Sequence, residues 1–310
     1  MHGQRTRLSG QIIGWGRVAE DAFMTEYQQQ VIDYFDHTQN DYRLLWGTDR
    51  HFGLHCGYFD EHQHRHDDAV LNMNRVLATV AGISAGDHVL DAGCGIGGSA
   101  IWLAENLGAS VVGVNINANQ VALARTLAHA RGLKNRVQFH VADFCATELD
   151  AESFDVVWAL ESACYAEDKA RFLAEAYRLL RPGGRLVVAD GFLTRDTFAP
   201  DEQRVIDRWQ HGWAIAGVVS LHQFQTWLRA ADFHRVGFQD ITRHVVPSSR
   251  RILLATLLFY PLGKVLHWIG LRTEIQTRGI ASGYYQYQAR RRGLGVYGIF
   301  VAKKSKHPDS

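Results

Sequence analysis

The stretch that decides the fold is Asp87-His-Val-Leu-Asp-Ala-Gly-Cys-Gly-Ile-Gly-Gly98. An apolar run ends at Asp91 and gives way to closely spaced glycines, after which a helix-forming segment begins at Ser99. The pattern predicts a buried strand, a turn of minimal bulk and a helix whose N-terminus points at a ligand. Glycine suits such a turn because a ligand can approach the backbone without meeting a Cβ atom.

The residues around this turn indicate which ligand it binds. The glycines fit the G-x-G-x-x-G dinucleotide fingerprint, which is weak evidence on its own. Asp91 stands two residues before Gly93, where a carboxylate can fix the turn or reach a cationic methionine group. The next predicted strand ends at Asn115, whereas a dinucleotide site has an acid for the ribose at this point. These neighbours favour S-adenosylmethionine over a nicotinamide cofactor.

Length and composition set broad limits on the kind of protein. A chain of 310 residues with 46% hydrophobic residues can form one large domain, with or without a cap. The formal charge of +1 gives no electrostatic case for nucleic acid. The four cysteines form no C-x-x-C pair, and residues 1–14 hold no long apolar run, so we expect a cytoplasmic protein with reduced thiols and no signal peptide.

Histidines alternate at His62, His64 and His66 in a polar stretch. A metal site needs ligands that converge from a fixed scaffold, which alternate residues of a polar loop rarely provide. The stretch therefore predicts a solvated loop, and we expect no metal.

Strands and helices alternate after the glycine turn, which predicts an α/β fold with a doubly wound, mostly parallel, seven-stranded sheet. Strands are predicted at 110–114, 137–141, 154–160, 185–189, 235–244 and 296–302. The predicted division is an N-terminal helical cap (1–80), a cofactor-binding core (81–247), a helical lid insertion before the last strand (248–292), and a final core strand with a tail (293–310).

Ligands of such sheets bind beyond the carboxyl ends of the strands. The polar residues at those ends are Asp91, Asn115, Asp143, Glu161 and Asp190. Asn115 can bond a ribose hydroxyl, Ile116 can contact the adenine, and Phe144 can stack on it. The predicted cofactor-binding residues are Asp91, Gly93, Cys94, Gly95, Asn115, Ile116, Gln120, Asp143, Phe144 and Leu160.

Residues 34–192 resemble the class I S-adenosylmethionine-dependent methyltransferases, and within them the sterol C-24 and tocopherol methyltransferase group, with cyclopropane fatty-acid synthases as more distant relatives. The matching motifs are Leu90-Asp-Ala-Gly-Cys-Gly-Ile-Gly-Gly98, Val112-Gly-Val-Asn-Ile-Asn-Ala-Asn-Gln120 and Ala159-Leu-Glu-Ser-Ala-Cys-Tyr-Ala166. The resemblance implies a Rossmann-like fold and methyl transfer from S-adenosyl-L-methionine, with S-adenosyl-L-homocysteine as product. Sterol enzymes carry Glu-x-x-Cys-His after the fourth strand, and here Tyr165 replaces that histidine. The Trp46-Gly47 pair followed by His51 and His55 resembles the same group's N-terminal cap.

A carbon acceptor becomes cationic on methylation and must then lose a proton. Aromatic rings stabilise such a cation, and a base must lie within hydrogen-bond reach. Glu161 is the first candidate base, followed by His51 and His55, and Tyr165 completes the predicted catalytic set. The alternatives are an amine N-methyltransferase, a cyclopropane-forming lipid synthase and, outside enzymes, an S-adenosylmethionine-binding lipid carrier.

Residues 252–271 form a long apolar run next to Arg250, Arg251 and Arg272. Pro261 and Lys264 interrupt the run, which argues against a membrane-spanning helix. The run predicts either an ordinary buried helix pair or a lid that faces a lipid or touches a membrane surface.

On the second interpretation, the insertion closes over a hydrophobic small-molecule acceptor. The predicted substrate-pocket residues are Tyr42, Trp46, Phe259 and Trp268. Peripheral membrane contact and homo-oligomer formation stay open, and no nucleic-acid partner is expected.

Overall fold

The computed structural model describes residues 24–306, and within them seven strands form one sheet. The strands are β1 (His88–Ala92), β2 (Ser110–Asn115), β3 (Val137–Val141), β4 (Phe154–Leu160), β5 (Leu180–Leu193), β6 (His234–Asp240) and β7 (Gly295–Lys303). Their order is β3-β2-β1-β4-β5-β7-β6. The first five strands are mutually parallel, and β7 runs antiparallel to both of its neighbours. The predicted doubly wound, mostly parallel seven-stranded sheet is therefore confirmed. The predicted cap and tail extend into residues 1–23 and 307–310, which lie outside the described residues.

Helices cover both faces of the sheet. They are α1 (Glu26–Asp41), α2 (Thr48–His51), α3 (His66–Ala81), α4 (Gly98–Leu107), α5 (Ala118–Ala130), α6 (Lys169–Leu179), α7 (Pro200–Gly212), α8 (Leu221–Ala230), α9 (Thr242–Trp268) and α10 (Glu274–Arg291). A π-helical turn at Tyr42–Trp46 follows α1, and a 3-10 turn at Ala163–Tyr165 follows β4. Thr25 is the N-cap of α1, and its hydroxyl accepts a hydrogen bond from the Gln28 backbone N–H at 3.1 Å. The Gln28 side chain in turn accepts from the Thr25 N–H at 3.0 Å, which completes a capping box.

The central strands are mostly apolar because each buries side chains on both faces. Val89, Val156 and Trp158 enter one hydrophobic cluster with α3 and α4. Leu90 and Val157 point to the opposite cluster, with α6 and α8. The five side chains are at most 1% exposed, so the site described below rests on a rigid base.

The insertion begins earlier than the sequence predicts. Strand β6 ends at Asp240, rather than at 244, and α9 begins at Thr242. The reason is local, since the Asp240 carboxylate accepts a hydrogen bond from the Thr242 N–H at 2.8 Å and satisfies a free donor of the first turn. Helices α9 and α10 lie between β6 and β7, as expected. No helix among residues 24–306 is long and apolar enough to cross a membrane.

The strand order reverses between β1 and β4, which makes their carboxyl ends the switch point where ligands of this architecture bind. Asp91 belongs to β1 and Glu161 follows β4. The two acids are therefore delivered to one crevice by the topology itself.

Candidate active site

A cavity of about 1270 Å³ opens at these strand ends. Its walls come from the glycine turn, the ends of β1, β2, β4 and β5, and residues of α1, α7 and α10. Pockets that hold one drug-sized ligand measure roughly 300–1,000 Å³. The cavity therefore has room for a cofactor and a second small molecule side by side.

The glycine turn forms one end of this cavity. The Gly93 and Cys94 N–H groups donate to the Val114 carbonyl at 2.9 and 3.0 Å, which ties the turn to β2. Gly93 has a φ of 82°, and a Cβ atom there would lie 2.5 Å from the Ser162 Cβ. Helix α4 starts at Gly98 with its N-terminus at the turn, as predicted. The absence of a Cβ atom at Gly93 therefore lets Ser162 pack directly against the turn.

Asp91 is the buried acid of the turn, with 3% exposure. Its Oδ2 atom has no hydrogen-bond partner among the described residues. Burial raises the pKa of this carboxyl to about 7, against a backbone hydrogen bond from Ala100 that lowers it. A buried carboxylate oxygen without a partner fits the cationic amino group of a bound methionine moiety.

Asn115 and Gln120 line the cavity at the end of β2 and bond to each other. The Asn115 Nδ2 atom donates to the Gln120 Oε1 atom at 2.7 Å, and Asn115 Oδ1 accepts from the Asn117 N–H at 3.2 Å. These two hydrogen bonds fix the orientation of the Asn115 amide, and neither involves a charged group. Ile116 also lines the cavity, where sequence reasoning expects the adenine.

Asp143 follows β3, and both of its carboxylate oxygens have partners. Oδ1 accepts from the Cys145 N–H at 2.8 Å, and Oδ2 accepts from the Gln28 side chain of α1 at 3.0 Å. Phe144 lines the same wall, with its ring edge-on to Phe172 at 5.3 Å between centroids. All ten predicted cofactor residues, Leu160 among them, line the one cavity. The Gln28 contact depends on how α1 docks, and no spacing in the sequence indicates it.

Glu161 occupies the other half of the cavity. Its backbone has a φ of 49°, an uncommon conformation for a residue other than glycine, and such strain clusters at functional sites. Its Oε1 atom accepts from the Cys56 N–H and from the Tyr297 hydroxyl, both at 2.7 Å. Burial raises the pKa of the carboxyl, while these hydrogen bonds and the charge of Arg290 oppose the rise. The Cys56 side chain also bonds to this carboxyl, which lines the cavity.

Two charged residues near Glu161 were not among the predicted site residues. Arg290 of α10 lines the cavity, and its Nη1 atom is buried without a partner among the described residues. Asp190 ends the parallel part of β5 and accepts from the Cys164 and Gly191 N–H groups at 2.9 and 2.8 Å. Burial raises the pKa of Asp190 to about 7. The position of Asp190 at the end of a predicted strand marks it in the sequence as a candidate site residue, whereas no sequence pattern marks Arg290.

The structure does not place His51 at the cavity. Its Nε2 atom lies 3.2 Å from the Trp46 carbonyl, and its Nδ1 atom accepts from the Gly53 N–H at 3.1 Å, so both ring nitrogens are engaged. His55 does line the cavity. Burial lowers its pKa to about 4, which makes it a weak base.

His51, His66 and Asp67 have ligand atoms within 4.8 Å of one another. His51 and His66 both contact the Trp46 carbonyl through Nε2, and Asp67 is paired with Arg50. The His66 Nδ1 atom has no partner among the described residues. His62 and His64 are exposed. The expectation of no metal stays a prediction.

The acceptor half of the cavity is aromatic. The predicted residues Tyr42, Trp46 and Tyr165 line it. The Tyr165 hydroxyl donates to the Trp213 carbonyl at 3.3 Å. Because the hydroxyl is engaged, Tyr165 contributes mainly its ring to the cavity wall. Further aromatic residues here, not among the predicted ones, are Tyr27, Phe35, Trp209, Trp213 and Tyr297.

Phe259 and Trp268 do not belong to this wall. They lie on α9 and are 40% and 85% exposed. Helix α9 meets the rest of the protein through small residues, including Thr256 and Gly263, and turns its large apolar side chains outward. The predicted lid therefore does not close over the cavity through these two residues.

Comparison with known proteins identifies the family. The methyltransferase-domain family matches residues 90–188. The 27-O-demethylrifamycin SV methyltransferase of Amycolatopsis mediterranei is 35% identical over 66% of this chain and 73% of its own length. The sterol 24-C-methyltransferase of Saccharomyces cerevisiae is 33% identical over 57% of this chain and 45% of its own length.

A solved structure with the same fold is the geranyl diphosphate C-methyltransferase from Streptomyces coelicolor A3(2), in complex with Mg²⁺, geranyl diphosphate and S-adenosyl-L-homocysteine. It has a TM-score of 0.69 and 20% identity, and the match covers 90% of this chain and 98% of that one. The glycine turn that lines the cavity and the unpartnered Asp91 oxygen fit the same cofactor. The chain belongs to the S-adenosylmethionine-dependent methyltransferases.

Proposed function

We propose that this enzyme methylates a carbon atom of a hydrophobic small molecule, of isoprenoid or sterol-like character, with Glu161 as the base. The observation that carries the proposal is the Glu161 carboxylate, which lines the cavity and is held on Oε1 by the Tyr297 hydroxyl and the Cys56 N–H. It stands in a chamber lined by aromatic rings. A polar acceptor would not need such walls.

The bound cofactor supplies an already activated methyl group, so the protein has to align the acceptor and exclude water. The faces of Tyr42, Trp46 and Tyr297 offer negative potential to the cation that forms on a methylated carbon. Glu161 Oε2 then takes the proton that this cation must lose. Its raised pKa strengthens it as a base compared with an exposed glutamate.

A second candidate function is methylation of a hydroxyl oxygen. It is favoured by the name of the Amycolatopsis relative, a 27-O-demethylrifamycin methyltransferase at 35% identity. Glu161 would then remove the hydroxyl proton as the oxygen attacks. Methylation of an amine needs no strong base, and nothing in the acceptor half specifically favours it.

The test uses cofactor with a carbon-13 methyl group, the purified enzyme and a lipid extract. The chemical shift of the labelled methyl in the product distinguishes carbon, oxygen and nitrogen as its attachment point. We expect Glu161→Gln to lower turnover by about 10²–10⁴-fold with little effect on cofactor binding.

Glu167→Gln is the matched control, because Glu167 lines the same cavity but is exposed. It should leave turnover nearly unchanged. A nitrogen-bound methyl together with full activity of Glu161→Gln would contradict both candidate functions.

A further inference from the structure

Helix α9 turns large apolar side chains toward solvent. Trp268 is 85% exposed and Leu258 is 70% exposed, although these residue types are normally well buried. A contiguous exposed apolar surface is a sign of an interaction site. We refer to the following residues as the α9 stripe: Leu254, Leu258, Leu262, Val265, Trp268 and, just beyond the helix, Leu271.

The stripe lies opposite the face by which α9 packs on α10. Thr256 of the inner face donates its hydroxyl to the Ile280 carbonyl at 2.8 Å. A Cβ atom on Gly283 would lie 2.5 Å from the Ile252 Cγ2 atom, so the two helices are in close contact there. The stripe residues recur at steps of three and four, on the far side of the helix from 252 and 256. Rotation of α9 to bury the stripe would break this close packing.

The charges of α9 indicate what covers the stripe. The helix contains Arg243, Arg250, Arg251 and Lys264 and no aspartate or glutamate. All four cations are exposed. Basic residues beside an apolar face are typical of helices that lie on anionic membranes, where long basic side chains reach the phosphates.

A second copy of the chain fits the stripe less well. In a two-fold interface the same patch meets itself. Two α9 helices would bring arginines and Lys264 against their own counterparts, with no acidic residue of α9 to pair with them. Charge complementarity therefore favours an anionic lipid surface.

We propose that α9 docks this enzyme on the surface of an anionic phospholipid bilayer. The helix lies in the plane of the interface, with the stripe among the upper acyl chains and its cations at the phosphates. Trp268 is suited to this level, because tryptophan concentrates at membrane–water interfaces. The docking surface goes beyond the proposed function and is independent of the atom that is methylated.

The experiment measures co-flotation of the full chain with vesicles. One set contains phosphatidylcholine alone, and the other contains phosphatidylcholine mixed with phosphatidylglycerol. We expect binding to the anionic set, and a loss of roughly tenfold or more in affinity for the Leu258→Glu/Val265→Glu variant. Lys264→Glu should weaken binding to anionic vesicles by about fivefold or more.

Val80→Glu and Arg204→Glu are the matched controls, because they change an exposed apolar residue of α3 and an exposed cation of α7. They should float like the unchanged protein. Every variant is checked for an unchanged melting temperature and S-adenosylhomocysteine affinity, which shows that the fold and the cofactor site are intact.

Absence of binding to anionic vesicles would overturn the proposal, whatever the activity of the enzyme. So would equal binding to both vesicle sets with no effect of Lys264→Glu. A dimer in light scattering that Leu258→Glu dissociates, without vesicle binding, would assign the stripe to a second copy instead.

Discussion

Asp91 combines burial, a missing partner on Oδ2 and a pKa raised to about 7. In the protein without cofactor, this carboxyl loses its proton only as the pH rises through that value. A cationic amino group placed beside it favours the ionised form and lowers the pKa. We therefore expect cofactor binding to release a proton between the lowered pKa of the bound state and about pH 7.

The first prediction follows from this coupling. The affinity for S-adenosylhomocysteine should fall by about an order of magnitude from pH 7.5 to pH 5.5, because protonated Asp91 must first ionise. Calorimetry in buffers of different ionisation enthalpy measures both the affinity and the released proton. Asp91→Asn should bind weakly with a flatter pH profile, while Asp190→Asn should keep the dependence. A pH-independent affinity of the unchanged enzyme would remove Asp91 from the ligand contact.

The second residue prediction concerns Gly95, which has a φ of 53° and lines the cavity. Gly95→Val should abolish detectable cofactor binding, because the branched side chain projects where backbone and ligand meet and the left-handed conformation strains it. Gly82→Val is the matched control. Gly82 has a φ of 62°, and a Cβ there meets nothing within 4 Å.

Both variants carry a similar backbone strain of roughly 1–2 kcal/mol. Both should melt at lowered temperatures, as measured by calorimetry, and Gly95→Val somewhat lower because its Cβ would lie 3.1 Å from the Leu54 Cδ1 atom. Only Gly95→Val should lose S-adenosylhomocysteine binding. If both variants bind normally, the glycine turn is not the cofactor site.

Among the elements, α10 packs closely on both sides, because small residues bring it against α7 and α9. A Cβ on Gly283 would lie 2.5 Å from both Ile252 Cγ2 and Thr256 Oγ1. On its other side, the Ser282 Cβ would be 2.6 Å from a Cβ on Gly212. Helix α10 carries Arg290, which lines the cavity, so the packing of α10 against α7 and α9 also positions a residue of the site.

We predict that Gly283→Val lowers the free energy of unfolding by about 1–3 kcal/mol, since overpacking forces α9 and α10 apart. Gly217→Val serves as the control, because a Cβ at Gly217 has open space and its φ lies outside the left-handed region. Denaturant titration measures both. A neutral Gly283→Val would mean that the two helices separate at no cost.

The sequence predicts the elements of the sheet well and the helical insertion less well. The bounds of β3 and β4 agree with the prediction to the residue, because β3 alternates apolar and polar residues and β4 is a mostly apolar run. The acceptor wall differs, because Trp209, Trp213 and Arg290 reach it only through the packing of α7 against α10. Such a contact leaves no periodic signal. The apolar run of α9 suggests burial, yet its buried face is the one with small residues.

For the whole molecule, the buried ionisable groups of the site run against the usual trend of protein stability with pH. Burial raises the pKa of Asp91 and Asp190 to about 7, and that of Glu161 above its ordinary value. The folded state therefore holds protons that the unfolded state releases near pH 4. For these groups the free energy of unfolding falls as the pH rises from about 4 to about 7.

Buried histidines act in the opposite direction over part of that range. Burial lowers the pKa of His55, His66 and His140 from 6.5 to about 4. The unfolded state then binds more protons than the folded state between these values, so their contribution to stability grows up to about pH 6.5. Below pH 6.5 the two sets offset each other. Between pH 6.5 and pH 7.5 both sets still change, because the unfolded-state histidines are half protonated at pH 6.5.

The last prediction is that Asp91 and Asp190 lower the stability of the cofactor-free enzyme as the pH rises from 6.5 to 7.5, relative to variants that lack either carboxyl. The two aspartates with a pKa of about 7 ionise in that interval while buried, at a cost of about 1 kcal/mol each at most. The histidines of the unfolded state lose protons over the same interval and offset this cost, so the test compares the chains with one another. From pH 6.5 to pH 7.5 the melting temperature of the unchanged chain should fall more, or rise less, than that of Asp91→Asn or of Asp190→Asn. Saturating S-adenosylhomocysteine should change the curve as Asp91→Asn does, because the bound amino group keeps Asp91 ionised at both ends of the interval. The same pH dependence in the unchanged chain and in both variants would show that these carboxyls are already ionised in the folded protein, and the proton release predicted for cofactor binding would fail with it.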